Sequence, residues 1–123
     1  MIFETFSRVT LQHCGRPVDA QIALASTFWS RFRGLVCTPR LSRASGLLIA
    51  PCNSIHMLGM RYPIEAIFVA KDFQVLKICR NVRPWVDVCC CFQARAVLEW
   101  LPGGAEDFGI RVGDLLRWEV AHE

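Results

Sequence analysis

Short apolar runs, separated by turns rich in glycine, proline and aspartate, recur along this 123-residue chain, and their spacing most constrains its fold. Val18, Ala20, Ile22 and Leu24 alternate with Asp19 and Gln21, the period of a strand with one wet face. Val9 and Leu11 begin a strand just before it. Between them, Cys14-Gly15-Arg16-Pro17 has turn chemistry, because glycine accepts positive φ and proline presets its own. The two segments read as a hairpin. Residues 46–50 read as a buried strand that Pro51 ends. Residues 64–70 read as another, with Ile64, Ala66 and Phe68 on one face and Glu65, Ile67 and Val69 on the other. Lys71-Asp72-Phe73-Gln74 turns the chain into a strand over 75–79. After Pro84, a short strand is expected within 86–92 and a longer one over 94–101, ending at Pro102-Gly103-Gly104. Residues 105–108 suit one helical turn with Gly109 as its left-handed cap. Gly113-Asp114 then turns into a closing strand over 115–120.

The period changes once. Ser26 or Thr27 can cap a helix, and Phe28, Phe32, Leu35 and Val36 follow at helical spacing before Pro39 forbids continuation. Trp29 and these phenylalanines read as core. Many short strands with close turns imply a mainly β fold, β-barrel or jelly-roll-like and mostly antiparallel, with one or two short helices. The length fits a single domain spanning 1–123.

Composition narrows the function classes. A hydrophobic content of 53% excludes disorder, and a chain this size buries roughly two-thirds of its unfolded surface without staples. The net charge of +3 comes from dispersed arginines, without the dense basic face and interleaved aromatics of a nucleic-acid reader. No nucleic-acid partner is expected. No window approaches the roughly twenty apolar residues of a membrane span. The first residues, with Glu4 among them, lack the apolar run of an export signal. The seven cysteines therefore read as reduced thiols of a cytoplasmic protein, most of them buried.

The stretch from Pro51 to Ala70 concentrates the able side chains. If residues 52–56 are extended, Cys52, Ser54 and His56 share a face, with Cα atoms about 6.6 Å apart stepwise and about 13 Å end to end. One zinc ion needs ligand atoms within roughly 2.0–2.3 Å, so Cys52 and His56 meet an ion only if the segment bends. No metal and no cofactor is assigned. A thiol-dependent or metal-dependent enzyme on Cys52 and His56, with Glu65 as orienter, is the alternative. It lacks a glycine-rich elbow or a helix start after Cys52 to lower the thiol pKa, and no catalytic residue is assigned. The favoured reading is a non-catalytic pocket for a small polar or anionic ligand. It comprises Cys52, Ser54, His56, Met60, Arg61 and Glu65, with Arg33 and Glu99 as supporting groups. A protein partner on exposed apolar surface around Trp85 or Trp100 is a third class. Cys89-Cys90-Cys91 reads as structural, since only Cys89 and Cys91 share a face and no C-x-x-C spacing occurs.

Several ordered motifs carry a resemblance. They are Arg33-Gly34-Leu35, Gly46-Leu47-Leu48, Cys52-x-Ser54-Ile55-His56, Met60-x-x-Pro63-Ile64-Glu65-x-x-Phe68, Ala94-Arg95-x-Val97-Leu98-Glu99 and Gly109-Ile110-x-x-Gly113-Asp114. Together they resemble the bacterial and archaeal domain-of-unknown-function family 192 over nearly the whole chain. The resemblance implies a compact β-barrel or jelly-roll-like domain with small helices. It implies no established activity, cofactor or catalytic residue. Family members occur with and without export signals, and some are similar in setting to components encoded near pilus and secretion machinery. Two departures fall in the expected pocket: Glu65 stands where the family usually has Asp, and Leu58-Gly59-Met60-Arg61-Tyr62 replaces its aromatic-Met-x-Asn-Thr segment.

Overall fold

The computed structural model describes residues 7–26 and 41–121. The expected helix after Ser26, and Arg33 with it, lies outside the described residues. In chain order come β1 (Ser7–His13), β2 (Arg16–Ala25), β3 (Ser45–Ile49), β4 (Ser54–His56), β5 (Ile64–Ala70) and β6 (Val75–Val82). They are followed by β7 (Val88–Cys90), β8 (Ala94–Trp100), the short helix α1 (Gly104–Phe108) and β9 (Leu116–Val120). Seven strands form one sheet in the order β6-β5-β8-β3-β2-β1-β9, and β4 pairs with β7 in a second, two-stranded sheet. The β2–β3 pair is parallel, and the other pairs are antiparallel. No helix among the described residues is long and apolar enough to cross a membrane.

The β1–β2 hairpin turns through Cys14 and Gly15, both at positive φ, closed by the His13–Arg16 pair. Two left-handed residues match the twist of the flanking strands, which is why so short a connection works. Central strands are apolar on both faces because both are covered. All five residues of β3 are buried, as are all but the last of β5. One face packs Leu47, Ile49, Ala66, Phe68 and Val97 against Met57, Met60, Tyr62 and Ile55 from the segment that carries β4. The other packs Ile22, Leu24, Leu48, Ile67, Leu98 and Trp100 with Ala105, Ile110 and Leu116.

Among the described residues the expected closed barrel is not found. The sheet is mixed and open, although its edge strands touch at one end. Gln74 and Leu115 form an isolated bridge, Val75 N–H donates to the Asp114 carbonyl at 2.8 Å, and Leu116 N–H donates to the Phe73 carbonyl at 2.8 Å. The contact does not grow into a ladder, and farther along β6 is tied to β7. There Lys77 Nζ donates to the Cys90 carbonyl at 3.0 Å, and Cys79 is joined to Cys89 by a disulfide with Cα atoms 7.1 Å apart. That bond corrects the reading of uniformly reduced thiols. The expectation of mostly buried cysteines also needs amending, since Cys14 and Cys90 are exposed.

Candidate functional site

Glu65 belongs to a strand whose alternation points it away from Met60 and toward Trp100. Its Oε2 accepts hydrogen bonds from Trp100 Nε1 and from Ala105 N–H, each at 2.7 Å, and Oε1 accepts a longer one from Gly103 N–H at 3.4 Å. Only 1% of Glu65 is exposed. Burying a carboxyl requires such partners, and here they are the indole above it and the first turn of α1. Trp100 also stacks on Phe108 with centroids 5.6 Å apart, so Glu65, Trp100 and α1 form one rigid corner.

Glu99 lies on the opposite face. It pairs across the sheet with Leu47 and Ala66, both members of the core that contains Met60 and Tyr62. Burial alone pushes its carboxyl up to about 7. A carboxyl buried in this way resists ionisation, because losing water disfavours the charged form.

Residues 51–62 return over this second face. Cys52 N–H donates to the Arg95 carbonyl at 2.9 Å, and Cys91 N–H donates to the Asn53 carbonyl at 2.9 Å. These bonds draw the 51–54 segment against the start of β8. An open groove of about 480 Å³ results, lined by Ile49, Pro51, Cys52, Asn53, Ser54, Ala94 and Arg95. The Cys52 thiol donates to the Ser54 carbonyl at 3.1 Å, so residues 52–54 are bent rather than extended. Beyond the groove, β4 carries Ser54 and His56 outward, opposite Cys90 and Val88. All four side chains on that outer face are exposed.

The expected pocket residues separate accordingly. Cys52 and Ser54 share the groove, His56 stands beside Ser54 on the outer face of β4, and Met60 is buried on the face that also holds Glu99. Arg61 is exposed, and Glu65 is sequestered behind the sheet. The physical reason is the strand period itself: Glu65 and Ala66 must point to opposite faces, and Ala66 faces Met60's side. The sequence reading missed Asn53 and Arg95. Arg95 carried one usable signal: it shares a strand face with Val97 and Glu99, about 13 Å from Glu99 along β8. Of the two tryptophans expected at a partner surface, Trp100 is buried and Trp85 is 63% exposed; Val86, Val88 and Phe92 are exposed as well.

A mixed β-sheet with a small covering sheet, a sealed carboxyl behind it and a polar groove before it defines a compact β-rich domain. Residues 9–118 match the DUF192 family, described as "Uncharacterized ACR". The chain is 32% identical over 114 residues to a UPF0127 protein of Thermococcus sibiricus, covering 89% of this chain and 73% of that one. It is 28% identical over 109 residues to a UPF0127 protein of Pyrococcus furiosus, covering 85% and 91%. This chain belongs to the DUF192 (UPF0127) family. Two crystal structures share its fold. A protein of unknown function from Novosphingobium aromaticivorans superposes with TM-score 0.77 at 26% identity, covering 90% of this chain and 84% of that one. A "putative transcription regulator" from Sinorhizobium meliloti superposes with TM-score 0.78 at 24% identity, covering 91% and 92%.

Proposed function

We propose that this chain is a non-catalytic binding module for a small ligand carrying an anionic group and an apolar body. One observation carries the reading. Arg95 lines the groove with Asn53 and Ser54, and it forms no ion pair among the described residues. A guanidinium offers five donors in a fixed fork that suits a carboxylate, and a nearby hydroxyl and amide add orientation. Val88 beside Ser54 and His56 on the outer face supplies apolar surface for the rest of such a ligand. The thiol of Cys52 is occupied by the Ser54 carbonyl while His56 stands exposed on β4, which favours binding over a thiol–imidazole reaction. Sensing a small molecule would also suit a regulator, the description given to the Sinorhizobium neighbour. At that identity the likeness speaks for the fold alone, so the proposal rests on the groove.

Thermal unfolding with a series of aryl and alkyl carboxylates at low salt tests it. Ligands that bind only the folded state raise Tm with concentration. We expect at least one carboxylate to do so, and Arg95→Ala to abolish the rise while leaving the unliganded Tm nearly unchanged. No shift with any carboxylate, or a shift that survives Arg95→Ala, would overturn the proposal.

A further inference from the structure

We propose that His13, Cys14 and Asp114 form a binding site for a borderline transition-metal cation of the zinc class, away from the groove. One ligand atom from each residue, an imidazole nitrogen, a thiol sulfur and a carboxylate oxygen, lies within 4.8 Å of the other two. This is the one such trio of potential ligands among the described residues. Nitrogen, sulfur and oxygen donors together match a zinc-type cation rather than calcium or magnesium, which prefer oxygen throughout.

The fold brings the three together from both ends of the chain. His13 and Cys14 come from the end of β1 and its turn, and Asp114 from the approach to β9, a sequence separation of 101 residues for the His13–Asp114 pair. Cys14 N–H donates to the Leu115 carbonyl at 2.9 Å, which fixes the turn beside Asp114. The Asp114 carboxylate is itself held by Arg111 N–H at 2.9 Å. His13 Nε2 and Asp114 Oδ2 are hydrogen-bonded at 2.7 Å, so both groups already converge on one point. Tetrahedral coordination with bonds of about 2.1 Å sets nitrogen and oxygen about 3.4 Å apart, so the pair needs to open by well under an ångström.

Binding releases the Cys14 thiol proton to solvent and leaves thiolate and carboxylate to balance a divalent charge. Three protein ligands leave a fourth position. His13 and Cys14 also line an open groove of about 440 Å³ together with Arg16, Pro17, Val18 and Phe108. With Arg16 in that groove, an anion or water suits the open position better than another cation.

The test is titration of the intact, chelator-stripped protein, with the Cys79–Cys89 disulfide kept, using Co²⁺ as a spectroscopic probe, followed by competition with Zn²⁺. We expect one equivalent to give a thiolate-to-cobalt charge-transfer band with tetrahedral visible bands, and Zn²⁺ to displace it. Cys14→Ser should remove the charge-transfer band, and His13→Gln should weaken binding at least tenfold. A Cys52→Ser/Cys90→Ser/Cys91→Ser variant should retain both signals, which separates this site from the other free thiols among the described residues. Absence of the band in the parent protein, or its survival in Cys14→Ser, would overturn the assignment. Circular dichroism of each variant shows that the fold persists, so loss of binding is not loss of structure.

Discussion

Trp100 Nε1 donates to Glu65 Oε2 at 2.7 Å, and that same oxygen accepts the Ala105 N–H at the start of α1. A carboxyl that sequence inspection assigns to a ligand is thus the anchor by which the sheet holds its short helix. A five-residue helix has no stability of its own in water, so its position depends on this anchor and on Trp100.

Removing the anchor therefore has a definite consequence. Glu65→Ala leaves the indole N–H and the Ala105 N–H buried without acceptors, a loss of about 2–4 kcal/mol. Glu65→Gln keeps one acceptor oxygen and should cost less than half of that. Urea denaturation of the two variants measures both. Equal losses would mean that the hydrogen bonds are not what holds the corner.

Glu99 predicts a pH dependence of stability. Its carboxyl is raised from the ordinary 4.5 to about 7 in the folded chain. Between those values the folded chain keeps a proton that the unfolded chain has released. Stability is therefore highest below pH 4.5 for this group and falls as pH rises through the window to 7. The loss is about 3 kcal/mol when complete. Glu99→Gln should flatten the decline between pH 5 and 8 and stabilise the protein at the upper end. An unchanged slope in that variant would assign the dependence to other groups.

The two glycines at the ends of α1 should respond differently to the same substitution. A Cβ on Gly104 would overlap Trp100 Cε2 and Nε1, and the indole cannot retreat while Glu65 holds it. Gly104→Ala is expected to cost about 2–3 kcal/mol and to shift the Trp100 indole resonance. Gly109 has open space around it and only a left-handed φ of 71° to defend, so Gly109→Ala should cost about 1 kcal/mol without moving that resonance. Comparable indole shifts in both variants would contradict the overlap.

Much of the strand pattern could be read directly, because alternation is local. The β1–β2 hairpin, the two faces of β5, and Gly109 closing a short helix all follow from neighbours a few residues apart. What escaped depends on distant partners. The acceptor role of Glu65 needs residues 35 and 40 positions away, and nothing in the local pattern names them. The groove needed Arg95 beside Cys52, a contact made by one backbone hydrogen bond between distant segments. The open sheet escaped for a similar reason: turn spacing predicts strands, but not that the two edges would meet in one isolated bridge only.

The binding account meets its most direct test in amide chemical-shift mapping of isotopically labelled protein titrated with a carboxylate that raises Tm. We predict that the largest shifts fall on Asn53, Ser54 and Arg95, with Glu65 and Ala105 behind the sheet unmoved. Shifts centred elsewhere, or spread evenly over the chain, would contradict the groove as the site.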